Sequence, residues 1–438
     1  MGTTTPAPDR TSFSRQVTRA VTASQLLFSA GNVLTTGGFL YYYADAFGPS
    51  AFQFSFLLIL PELAESVGFL ARPLSKRVGS RKRTWLASLL TARLFALGVP
   101  LMAAPVLTSG EAWPFEMLAA WVAGWYVLQG IAYACFISWL SDLMPQTNWG
   151  RLFARREIAM LGIKLVIPVA VGILRREWAD SLPDEQKLVT YVSIFVAGNL
   201  IVAASVFPMW RLPDQVAERD AGPKERRTIS TLTVLADVLR DRSFRWILLH
   251  SWWLSLAQGL TQSAFFKYQT SVLRLPVETF YVLNGLMLAL QLPLTAWAGR
   301  LSDRERDKPV LFWSVTAVSG AMVFWLAATP GRWWLLTGAY VVWGLFGFVN
   351  VCGLNLMLKL APHGDNTAQI SLFRQMGGLC AALAGLAGGW WLDRLTSAAM
   401  SLAIGEFVLG PYQIVFLASF LGRATAGLWV LPIRMTRP

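Results

Sequence analysis

The sequence predicts an all-α polytopic membrane protein with twelve transmembrane helices in two pseudo-symmetric six-helix bundles. Three observations predict it. Hydrophobic residues make up 55% of the 438 residues and charged residues only 14%, against about 25% charged in an ordinary soluble domain. The apolar residues come in blocks, and the mean hydropathy is +0.47, so there is too little polar material to cover a water-facing surface. Finally, Lys and Arg collect between the blocks, preferentially at alternate junctions.

A hydrocarbon core of about 30 Å needs about 20 apolar residues per helix. Blocks that meet this are 22–46, 51–72, 84–106, 114–141, 157–175 and 188–210, then 246–268, 278–301, 309–330, 333–359, 367–392 and 407–433. Trp85, Trp113, Trp210, Trp246, Trp333 and Trp334 stand near block ends, as an interfacial aromatic belt requires. The N-terminal stretch is polar and carries no signal-peptide hydrophobic region, so the first block is expected to remain as a span. Basic residues concentrate before the first span, in 72–83, 151–156, 211–245 and 300–308, at Lys359 and at the C-terminus. The opposite side holds Arg175, Arg176, Lys187, Arg274, Arg332 and Arg394. The positive-inside rule therefore places both termini in the cytoplasm of a cell (inner or plasma) membrane.

Segment 211–245 is the one clear shift in composition. RLPDQVAERDAGPKERR reads as a solvated linker. Leu232, Leu235, Val238 and Leu239 that follow have helical spacing, which predicts an amphipathic helix on the cytoplasmic surface. The expected organisation is an N-terminal bundle over 1–210, a central loop over 211–245 and a C-terminal bundle over 246–438.

The net charge of +13 invites a nucleic-acid reading, which fails because the cations lie in connections between spans. Cys135, Cys352 and Cys380 fall inside apolar blocks, and His250 and His363 are isolated. No disulfide framework, metal cluster or cofactor site is expected, and an enzyme's paired nucleophile and base are not in view. No nucleotide-binding loop of the Walker type is present, which argues against direct ATP drive.

The halves echo each other. FLARPLSKRVGSRKRTW (69–85) follows the second block and AWAGRLSDRERDKPVLFW (296–313) the eighth, both with the pattern Leu-Ser-x-Arg. Their cations are expected to cap the C-terminal carbonyls of the preceding span. With these loops, twelve spans and a longer central loop, the whole chain resembles the major facilitator superfamily, whose loop signature is G-x-L-[AS]-D-R-x-G-[RK]-[RK]. The second copy matches at Gly299, Leu301, Ser302, Asp303, Arg304 and loosely Lys308, and departs at Arg306. The first keeps Leu74, Ser75, Arg77, Gly79, Arg81 and Lys82, but has Lys76 at the acidic position and Arg72 at the first glycine. The resemblance implies alternating access by two six-helix halves, with spans one, four, seven and ten lining the solute path.

Ionisable residues within spans are costly and are functional candidates. Glu62 and Glu65 share one face of the second span beside Pro61, where a kink or hydrated spot is expected. Either could carry a coupled proton; alternatively Glu65 pairs with Arg93 of the third span. Lys164 and Arg374 lie in the corresponding spans five and eleven; they could attract an anionic group or reach to the interface. Lys267 and Arg423 read as anchors. On the implied cavity spans lie Asn32, Gln129, Tyr133, His250, Gln258, Gln262, Asn350 and Asn355, each of which could equally be interhelical glue. Tyr41, Tyr42, Tyr43 and Asp45 close the first span as an outer gate or an aromatic belt, and Gly385, Gly388 and Gly389 are expected to permit close helix packing. The expected activity is secondary transport of a small solute, proton-coupled, with an anionic or zwitterionic substrate favoured. Membrane lipid is the surrounding partner, nucleic acid is not a partner, and the chain is expected to act as a monomer. The alternative is a non-transporting sensor or scaffold that retains the fold.

Overall fold

A computed structural model describes residues 10–67, 70–110, 113–143, 149–214, 241–360, 367–405 and 407–434. The linker and most of the expected amphipathic helix in 211–245 lie outside these residues. A short antiparallel hairpin pairs Leu402–Ile404 with Phe407–Leu409; the remaining regular structure described is helical. Seven of the described helices are long and apolar enough to cross a bilayer: Arg81–Ser109, Phe115–Leu140, Leu188–Trp210, Val277–Ser302, Asp307–Ala327, Leu335–Leu360 and Pro411–Val430. The other five spans are helical as well, but short, interrupted or more charged. The first is Arg10–Thr35 followed by Gly38–Asp45, and the second is Ala51–Val67. The fifth, Trp149–Asp180, starts well before the expected residue 157, since nothing in that stretch breaks a helix. The seventh is Arg242–Gly259, then Gln262–Lys267 and a π-helical turn Tyr268–Val272; the eleventh is Thr367–Ser397. The twelfth begins at Pro411 and not at 407, because Phe407–Leu409 is drawn into the hairpin.

The chain divides into two compact units, one of residues 1–47 and 63–222, the other of 48–62 and 223–438. The boundary near 222 falls inside the segment expected to be linker. The second span, however, is split at Glu62. Its first half belongs with the second unit for stated reasons: the Asp393 carboxylate accepts from the Ala51 and Phe52 amides (2.8 Å each), and Phe54 stacks on Phe266 with ring centroids 4.5 Å apart. A side chain at Gly389 would collide with Ser55 and Ala51, and one at Gly388 with the Leu260 carbonyl. The eleventh helix is thus glycine-rich where backbones touch, as expected.

In the first unit, Val21, Leu89, Phe136 and Leu140 pack around Trp85 and Trp139, which stack at 5.4 Å. The first and sixth spans cross at Gly31 and Gly198, where either added side chain would meet the other's carbonyl. In the second unit Phe265, Trp325, Trp343 and Phe416 form an aromatic centre.

At the end carrying the basic connections, the two repeats use the same device. Lys82, second residue of Arg81–Leu101, donates to the carbonyls of Trp210 and Leu212 (2.7 Å each). Lys308, second residue of Asp307–Ser319, donates to those of Leu431 and Ile433 (2.8 and 2.7 Å). The last carbonyls of a helix have no partner within it, and a cation there also meets the negative end of the dipole. The capped helices are the sixth and twelfth spans, not the spans preceding each loop as the sequence suggested. In the first loop Gly79 ends helix Ala71–Val78 in the left-handed conformation (φ 73°), and Ser80 caps the next helix by accepting from the Arg83 amide (2.9 Å). In the second loop the left-handed residue is Glu305 (φ 57°), one before Arg306, where the family pattern places glycine.

The acid that works in the second loop is Asp307, fully buried and paired with Lys359 (2.6 Å), which also donates to the Ser302 carbonyl (3.0 Å). Asp303 and Arg304 are exposed. Because Lys359 is 35% exposed, water shares its charge. Asp307→Asn is therefore expected to cost about 1–3 kcal/mol in detergent-solubilised unfolding, and a double-mutant cycle with Lys359→Met should return a coupling of the stabilising sign. Additive single losses would remove the pair from the account.

Gly37 has φ 61° and ψ −137°, a region essentially restricted to glycine, with nothing within 4 Å of an added Cβ. Gly37→Ala should cost about 1–3 kcal/mol through backbone strain alone. Gly162→Ala, in a helix and equally unobstructed, should stabilise by about 0.5–1 kcal/mol. Equal melting temperatures for the two variants would contradict this.

Candidate functional site

Among the described residues each unit holds one buried guanidinium, whose hydrogen-bond network reaches an interruption in the first span of that half of the sequence. In the first unit this is Arg93, 4% exposed. It donates to Asn199 Oδ1 (3.4 Å) and to Gln129 Oε1 at short range. The Trp125 indole, one helical turn before Gln129, donates to the same Oε1 (2.9 Å), and its ring lies 5.2 Å from the guanidinium carbon. Asn199 turns its amide nitrogen back to the Phe195 carbonyl (3.0 Å), which leaves its oxygen for Arg93. Gln129 Nε2 then donates to Asn32 Oδ1 (3.3 Å). Asn32 precedes the interruption at Thr36–Gly37, and its own carbonyl takes the Thr36 amide (3.0 Å) and hydroxyl (2.7 Å). Four helices thus join in one polar chain.

In the second unit the cation is Arg423, 3% exposed. Its Nε donates to Ser419 Oγ and its NH2 to Thr261 Oγ1 (3.0 Å each), and it lies 5.6 Å from the Phe265 ring centroid. Thr261 stands in the break between Gly259 and Gln262 in the seventh span. Both hydroxyls spend their hydrogens on backbone, Thr261 on the Gln258 carbonyl (3.1 Å) and Ser419 on that of Ala257 (2.5 Å). They accept from Arg423 without depending on it. Among the described residues neither guanidinium has a carboxylate within salt-bridge distance. A charge kept from water in this way is costly and marks function in a membrane bundle.

Of the residues singled out from sequence, Asn32 and Gln129 are joined to each other and to Arg93. His250 is buried in helix packing, its Nδ1–H donating to the Ala426 carbonyl (2.8 Å). Asn355 donates to Ser302 Oγ (2.8 Å) beside the Asp307–Lys359 pair. Gln262 stands against Gly385, Gln258 is half-buried, and Tyr133, Lys164 and Asn350 are exposed. Tyr43 is buried, donating to the Val99 carbonyl (2.8 Å). Of the loop residues, Arg77 is exposed and Arg81 and Gly299 are half-buried. Lys267 and Arg423, read as anchors, are both buried; Lys267 lies 5.7 Å from the Phe54 ring centroid. The side chains of Glu62, Glu65 and Arg374 lie outside the described residues. Sequence reading passed over Asn199, Thr261 and Ser419. An arginine in the middle of an apolar block was the signal that could have led to the last two.

A family model described as Major Facilitator Superfamily matches residues 21–385. Similar solved structures include a bacterial homologue of the iron transporter ferroportin in an inward-facing state, at 13% identity and TM-score 0.67, covering 97% of this chain and 99% of that one. The nucleoside transporter NupG is 12% identical with TM-score 0.66, covering 97% and 100%. The xylose transporter XylE from E. coli, inward open, is 14% identical with TM-score 0.61, covering 96% of each chain. At these identities the likeness is one of fold. No curated protein matches the chain.

Since no hydroxyl is orphaned when Arg423 is removed, an apolar side chain of similar length should be tolerated structurally. Arg423→Met is expected to unfold within about 1 kcal/mol of wild type, or at higher stability, while transport falls. A loss of several kcal/mol in equilibrium unfolding would make Arg423 a structural residue.

Proposed function

The chain belongs to the major facilitator superfamily, and on that footing we propose that it is a secondary transporter moving a small solute by alternating access. It is an integral, multi-pass membrane transporter. The observation that carries the finer reading is the paired interruption of the first span at Thr36–Gly37 and the seventh at Leu260–Thr261, each met by a buried arginine's network. Broken helices at corresponding places in two repeats free backbone groups and are how transporters of this kind build midplane sites. Under this reading Asn32, Gln129, Gln258 and Gln262 border the solute path, with Tyr133, Lys164, Asn350 and Arg374 reached along it. His250 and Asn355 hold helices together. The chain works as a monomer in a cell membrane with both termini cytoplasmic.

Proton coupling is assigned to Glu62 or Glu65, at the point where Pro61 and the change of unit divide the second span. In proteoliposomes, with a substrate found by thermal-shift screening, Glu62→Gln should bring pH-gradient-driven uptake to background while the protein melts as wild type. Undiminished proton-driven uptake in Glu62→Gln and in Glu65→Gln would remove both from the coupling role.

A further inference from the structure

We infer that the polar chain ending at Asn32 and Gln129 is an oxyanion-recognition site, and that the substrate carries a carboxylate or phosphate group; this rests on the transport reading above. The inference follows from which way each amide must point. Gln129 Oε1 accepts from both Arg93 and the Trp125 indole, two groups that can only donate. That orients the Gln129 amide with its nitrogen away from Arg93, and Nε2 donates to Asn32 Oδ1. Asn32 is oriented in turn, with Nδ2 forward, toward Thr36 Oγ1 at 3.5 Å. The Thr36 hydroxyl gives its hydrogen to the Asn32 carbonyl, so it too is fixed as an acceptor.

The result is a relay of aligned dipoles that starts at a guanidinium and ends in N–H groups. Arg93 is 4% exposed, and its Nε finds no partner among the described residues. Gln129 and Asn32 are half-buried. One hydrogen on each of their amides has no acceptor among the described residues. Chains of hydrogen bonds polarise one another in a low dielectric, so the half-buried end shows positive potential, with the Gln129 and Asn32 amides as donors and the Thr36 hydroxyl oxygen as its one acceptor. An oxyanion supplies what this end needs: acceptors for the free amide hydrogens, and a negative charge for a cation that has no carboxylate partner among the described residues. A cation would be repelled, and a neutral polyol would leave the charge uncompensated.

The test is thermal shift of the purified full chain in detergent with inorganic phosphate, succinate or glucose 6-phosphate, against sorbitol and matched chloride. A saturable rise with at least one oxyanion and none with sorbitol is expected; which oxyanion acts separates phosphate from carboxylate recognition. Gln129→Glu puts a carboxylate against Arg93 in nearly the same shape. It should keep or raise the melting temperature without ligand and abolish the oxyanion response. Asn32→Ala removes one donor and leaves the charge, and should weaken the apparent affinity by about tenfold or more; it decides the matter if Gln129→Glu does not fold. No response of wild type to any oxyanion overturns the inference, as does an undiminished response in the folded variants. Counterflow in proteoliposomes separates the two readings. An oxyanion that binds but is not exchanged leaves the site and removes transport, whereas exchange of a neutral solute with no oxyanion response does the reverse.

Discussion

Hydrocarbon offers a backbone amide nothing to bond, so each peptide group within the bilayer must be satisfied by the protein itself. The helices satisfy their own amides along their length, and the distinctive chemistry of this chain occurs where they cannot. Lys82 and Lys308 close the last carbonyls of the sixth and twelfth spans. Asp393 closes the first amides of the second. At Thr36–Gly37 the Asn32 carbonyl gathers the Thr36 amide and the Thr35 and Thr36 hydroxyls. Side chains doing this work are polar by necessity, which is why polar residues in the spans are organised around helix ends and breaks.

The same constraint separates polar groups whose needs are met within the fold from buried charges that, among the described residues, meet only neutral oxygens. His250, Asn355 and Tyr43 each have a backbone or hydroxyl partner and are buried or half-buried with it; satisfied in this way, they need nothing further. Arg93 and Arg423 are different. Their hydrogen bonds are made, in part, to neutral oxygens, but a hydroxyl or amide does not neutralise a charge. In water that distinction costs little, while in a bundle it costs several kcal/mol per ion. Each is a buried charge with no carboxylate partner among the described residues, and under the transport proposal a ligand of opposite charge would offset its cost.

Much of this was legible in the sequence, because the spans depend on composition over some twenty residues, a signal no single side chain can hide. The repeat was legible through Leu-Ser-x-Arg. Partner choice was not. The sequence placed the capping lysines beside the second and eighth spans, and only tertiary packing brings the sixth and twelfth within reach. Asp303 stood at the acidic position of the family pattern, yet Asp307, four residues on, holds Lys359. Spacing along the chain cannot distinguish two acids at the two ends of one loop when burial decides between them. Arg423 was misread for a related reason: a long cation within an apolar span can reach the interface or turn inward, and the choice rests on Thr261 and Ser419, which come from elsewhere in the bundle or lie a turn away.

The two halves agree in their scaffold and differ in their charge. Lys82 and Lys308 occupy the same turn of corresponding helices and do the same work. The buried arginines do not correspond, since Arg93 stands on the third span of its half and Arg423 on the sixth of the other. Asn199, the partner of Arg93, lies on the sixth span of the first half. A duplicated fold must keep its helix ends alike, because the bilayer imposes the same demand on both. The same demand does not fall on the cations, since Arg93 and Arg423 donate to side-chain oxygens and close no helix end.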